Sequence, residues 1–125
     1  MTRRTDPAAL ARLASLAALK RDAELARLAG VAQSRGRLLS AIAALKQTEA
    51  PLSSDEEGAA LVQARLAHRR WAEAQHRRLN QQLALVTADW LRQRPAAAQA
   101  FGRAAVLSDL TDRARARSRA PKGPP

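Results

Sequence analysis

An all-α protein is predicted by three features of this 125-residue chain. The architecture is a long antiparallel two-helix hairpin of coiled-coil type, with a shorter third C-terminal helix and a disordered basic tail. First, helix formers dominate. Alanine alone supplies 31 of the 58 hydrophobic residues, and Leu, Arg, Gln and Glu are abundant. Strand formers are sparse, with one Phe, one Ile and no Tyr, which argues against all-β and α/β folds. Second, apolar residues recur every three or four positions over two long stretches. Third, one polar segment bearing Pro51 separates those stretches. Only 27 hydrophobic residues are larger than alanine, so a long thin molecule is expected rather than an enzyme with a roomy pocket.

Residues 1–7 form an N-terminal arm ending in Asp6-Pro7, a helix-start signal with Asp at the cap and Pro at the first helical position. The first helix is expected over about 8–49. Its apolar stripe is Leu10, Leu13, Ala14, Ala17, Leu25, Leu28, Val31, Ala32, Leu38, Leu39, Ile42 and Leu45. At about 100° per residue these positions occupy one side of a cylinder some 60 Å long. Lys20, Arg21 and Glu24 weaken the seam in its middle, and Gly30 and Gly36 lie off it.

Residues 48–58 read TEAPLSSDEEG. Pro51 forces a break, and Ser53 or Ser54 caps a second helix over about 55–94. Asp55, Glu56 and Glu57 then suit the positive end of the helix dipole, which accounts for this acidic cluster without a ligand. The second stripe is Leu61, Ala64, His68, Ala72, Gln75, Leu79, Leu83, Val86 and Trp90. Val62, Leu66, Trp71, Leu85 and Leu91 fall partly or wholly off it, so this helix has apolar surface to spare.

Arg94-Pro95 is expected to break or bend the chain. A third helix over 95–113 follows, with Phe101, Ala104, Val106, Leu107 and Leu110. It either folds back on the hairpin, which spans 8–94, or continues after a bend. Residues 114–125 are basic and end in prolines, so a disordered tail is expected.

The net charge is +11, with 22 basic residues of which 19 are arginine. Such an excess concentrates anionic partners, whether nucleic acid, a membrane surface or an acidic protein, although a GC-rich genome produces the same Arg and Ala bias. No cysteine is present, so there is neither a disulfide frame nor a thiolate metal site. The run over 8–19 lacks a signal-peptide core, and no stretch approaches the ~20 apolar residues of a membrane span. A cytoplasmic protein without membrane insertion is expected.

The residues that carry chemistry give little support to catalysis. His68 and His76 lie about 12 Å apart along a helix and on adjacent faces, too far to share a metal. Glu73 and His76 form a single Glu-x-x-His, a motif that di-metal bundles repeat with further carboxylates. No phosphate-binding loop, zinc-protease or nucleophile-elbow motif occurs. No catalytic, cofactor or metal residue is therefore expected. The candidate partner-binding residues are Arg65, Arg69, Arg70, Arg77 and Arg78 on the second helix, with Trp71 and Trp90 as anchors. A solvated arginine face is the plain alternative, and packing of both tryptophans against a folded-back third helix is another.

One further pattern has a counterpart. The run Leu10-x-x-Leu13-x-x-Leu16-x-x-Leu19-Lys20-Arg21-Asp22-Ala23-Glu24-Leu25-Ala26, the Pro-bearing turn and the Arg- and Gln-rich return helix resemble the flagellar FliJ / type III secretion YscO family of export stalk proteins. The likeness spans residues 8–94. It implies a non-enzymatic component of a flagellar or type III protein export apparatus, seated in the export ATPase ring, touching the export gate and escorting chaperones. The family carries no catalytic residues. The competing expectation is a sequence-blind nucleic-acid-binding protein, and self-association of the coiled coil is a third.

Overall fold

A computed structural model describes residues 6–48 and 58–119. Two helices account for nearly all of them: α1, Pro7–Gln47, and α2, Ala59–Arg119. No strand occurs among the described residues. The two helices pack antiparallel as a helical hairpin. The described residues belong to two units, one comprising Met1–Ala29 with Leu91–Pro125 and the other Gly30–Trp90.

The start of α1 follows the predicted chemistry. The Ala8 amide donates to Asp6 Oδ1 at 3.1 Å, and the Leu10 amide donates to the Asp6 carbonyl at 3.0 Å. At the other end, the Thr48 hydroxyl donates to the Leu45 carbonyl at 2.8 Å, taking up an acceptor that the finished helix leaves open. The expected turn, with Pro51, the Ser53 or Ser54 cap and Asp55 to Glu57, lies outside the described residues. The described part of α2 begins with Leu61 and Val62 amides donating to the Gly58 carbonyl.

In the unit formed by Gly30–Trp90, buried or half-buried positions on α1 are Val31, Arg35, Leu38, Ile42 and Leu45. On α2 they include Ala72, Gln75, Leu79, Leu83, Val86 and Trp90. In the other unit, Leu10, Ala14, Ala17, Arg21, Glu24 and Leu28 of α1 occupy the seam with Gln93, Ala97, Ala100, Ala104, Leu107 and Thr111 of α2. Alanine at so many seam positions brings backbones close and leaves few large knobs. The buried Thr111 hydroxyl is satisfied by its own helix, donating to the Leu107 carbonyl at 2.7 Å.

The α1 seam, and the α2 seam from Leu79 onward, follow alternating steps of three and four residues, a seven-residue repeat. That repeat is narrower than the stripe expected from sequence. Leu13, Leu25, Ala32 and Leu39 were counted on the stripe, yet they are exposed beside the seam. Leu61, Ala64 and His68 are exposed as well. Leu45 near the end of α1 and Ala72 of α2 are buried, and Ala72 is the first buried residue along α2. Among residues 59–71 none is buried and Arg65 alone is half-buried.

The expected third helix is not a separate element. α2 runs through Pro95 without interruption and carries the predicted 95–113 segment as its continuation. Proline in a helix interior removes the amide that would bond the Leu91 carbonyl, at a cost of about 3 kcal/mol. Pro95 itself is exposed, while Gln93, Ala97 and Ala100 continue the seam on either side of it. Packing therefore carries the helix past the defect. The two units part at Leu91, the residue whose carbonyl loses that partner, and in α1 at Gly30. The helix also takes in residues 114–119 of the expected tail. Ala114 extends the seam, and an Arg113–Asp109 pair at 3.2 Å braces the turn before it. Residues 120–125 lie outside the described residues.

Candidate interaction surface

The seven residues singled out from sequence all fall on the α2 segment of the Gly30–Trp90 unit, but they do not form one surface. Residues seven apart on a helix nearly eclipse, within about 20°. Arg70 and Arg77 thus form one exposed line, and Trp71 and Arg78 another. Arg65, half-buried, and Arg69, exposed, stand nearer the seam. Arg69 faces Glu73 one turn on at 3.8 Å, a loose exposed pair of little energetic weight.

The two tryptophans have different environments. Trp71 is 53% exposed, and its ring lies 5.6 Å from that of His68 at an interplanar angle of 31°. It lies about 100° round the helix from the buried Ala72, so the ring points off the seam and faces solvent. Trp90 is half-buried on the seam. The Arg35 guanidinium sits over its ring, 5.2 Å from the centroid, while Arg35 Nε donates to the Thr87 hydroxyl at 3.2 Å. This cation–π contact holds α1 and α2 together, so Trp90 is engaged within the chain. With no third helix folded back, nothing packs both tryptophans into one core.

A second polar cluster lies on the seam of the other unit. Glu24, only 5% exposed, accepts from Lys20 Nζ at 2.9 Å, from Gln93 Nε2 across the seam, and has Arg27 Nη1 at 3.5 Å. The Lys20 and Gln93 hydrogen bonds hold its carboxyl below the usual carboxylate range, against the effect of burial. A buried carboxylate matched on each side ties one register of α1 to α2, since a slip of one residue would strand the charge.

Among the described residues, no group of three or more His, Cys, Asp or Glu side chains is placed to hold a metal ion. None of the described helices is long and apolar enough to cross a membrane. The unit with the termini also exposes large apolar residues: Leu13, Leu16 and Leu19 on α1, and Phe101, Val106 and Leu110 on α2. The strict seven-residue step was the signal that would have found them. Set against known protein families, curated proteins and solved structures, the chain finds no match.

Proposed function

We propose that this protein is a non-enzymatic adaptor that binds a larger protein machine through α2. The observation that carries this reading is Trp71, held half in solvent beside His68 and flanked by the exposed Arg70, Arg77 and Arg78. An exposed aromatic ring with arginines on its own helix line and on the next is the composition of an interface anchor. Arg supplies planar, bidentate contact to carboxylates on an acidic partner and speeds the encounter. The resemblance to the FliJ/YscO stalk family names the machine: a cytoplasmic flagellar or type III export apparatus, with its ATPase and gate as partners.

The test is a pull-down with an export ATPase at moderate salt. The wild-type chain is expected to be retained, and Trp71→Ala and the Arg69→Glu/Arg70→Glu pair to be lost at unchanged helicity. No retention by any export component would remove this reading. The net charge of +11 favours a second one, sequence-blind binding to nucleic acid. A gel shift in which DNA stays bound at about 150 mM salt, with a steep fall at higher salt, would support that alternative.

A further inference from the structure

We propose that one face of the unit formed by Met1–Ala29 and Leu91–Pro125 is a docking groove for an acidic amphipathic helix of a partner protein. The groove is open and runs between α1 and α2. Its floor is Ala17, Ala96 and Ala100, and its rim carries Lys20, Gln99 and Arg103. The seven-residue repeat extends this face toward the start of α1. Leu13 stands seven residues before Lys20 and Leu16 four before it. Val106 and Leu110 stand seven after Gln99 and Arg103. Leu13, Val106 and Leu110 therefore lie within about 20° of their rim counterparts, and Leu16 within about 40°. All four are exposed, Leu16 at 63% and Val106 at 59%. The face thus joins a floor of small side chains, aliphatic knobs on both banks and basic residues along the edge.

Charge and shape select the occupant. This unit holds 14 of the basic residues against five acidic ones, a net +9, while the Gly30–Trp90 unit holds eight against six, a net +2. A second copy of the chain would bring +9 against +9, so self-pairing through this face is opposed. Phosphates of a nucleic acid give leucine and valine nothing to bury against. A bilayer surface matches aliphatic and basic side chains but not a concave alanine floor between two ridges. A helix fits all three features. It lies in the groove with its apolar stripe on Leu13, Leu16, Val106 and Leu110, and its flanking carboxylates reach Arg103. Glu24, at the same groove, is already matched by Lys20 and Arg27, so it does not turn an acidic helix away. This surface is separate from the one around Trp71.

The test is fluorescence anisotropy with a labelled peptide of about three heptads, Leu at the core positions and Glu at the flanking ones. It is run on the full chain at about 150 mM salt, where exposed charges further apart than ~8 Å are largely screened. The periodic peptide is expected to bind and gain helicity, and a scrambled peptide of equal composition to bind at least tenfold more weakly. Leu16→Glu and Val106→Glu should each weaken binding tenfold or more with the helical circular dichroism unchanged. Leu85→Glu on the other unit and Trp71→Ala should bind as wild type, which keeps this proposal distinct from the adaptor reading. Equal binding of the scrambled peptide would overturn it, as would indifference to Leu16→Glu and Val106→Glu. So would tighter Val106-dependent capture by phosphatidylglycerol vesicles, or concentration-dependent dimers in sedimentation that Val106→Glu abolishes.

Discussion

Glu24 shows how one buried charge takes part in the fold. Its folded carboxyl is held low by Lys20 first and Gln93 second, while the unfolded carboxyl titrates at its ordinary value. A group with a lowered folded value stabilises the fold above its unfolded value. That contribution fades as pH falls through the folded one. Thermal melts from neutral to acid pH should therefore show wild-type stability falling below the ordinary carboxylate range. The Glu24→Gln variant should lose less over the same range and start lower at neutral pH. Equal acid slopes would mean the carboxylate contributes nothing. Glu24 also marks a limit of sequence reading. Its position in the stripe was visible as a defect, but Gln93, 69 residues away, was not identifiable as its partner. The Arg35–Trp90 contact has the same character, because which cation covers which ring depends on helix register.

At the scale of the element, α2 tests how far packing overrides local preference. Residues 94 and 95 read as a helix boundary, yet 61 residues form one helix across them. Proline costs the helix an amide and a clash, but Ala97, Ala100 and Ala104 on its far side are among the most buried residues of the chain. Pro95→Ala should then stabilise the protein by about 1–3 kcal/mol, read as a higher denaturation midpoint with unchanged helicity. A variant less stable than wild type would show that Pro95 relieves strain. Gly102 points the same way. An added Cβ there meets nothing within 4 Å, so Gly102→Ala should gain up to about 1 kcal/mol. The cap at Asp6-Pro7 and the start of α1 were legible because they depend on neighbours in sequence. The absence of a third helix was not, because it depends on contacts with α1.

For the molecule as a whole, the charge is unequally shared. The unit holding Met1–Ala29 and Leu91–Pro125 has net +9 and the Gly30–Trp90 unit +2. Polyanion binding tracks local charge density. Reversal of Arg103, Arg115 and Arg117 to Glu should lower the salt concentration of elution from heparin more than reversal of Arg70, Arg77 and Arg78. The two triple variants have equal total charge, so equal elution would show that density does not matter. The basic face emphasised by sequence lies in the less charged unit. The charge of the other unit is summed from both ends of the chain, so its total emerges only once those ends are seen to share a unit.

Composition and apolar spacing alone determined the helical class, the antiparallel hairpin and the capped start of α1, since each follows from propensity or from residues a turn apart. Tertiary packing decided that α2 continues through Pro95, that Glu24 meets Gln93, and that Trp90 sits beneath Arg35. Those outcomes depend on the register between two helices, which a single strand of sequence does not contain.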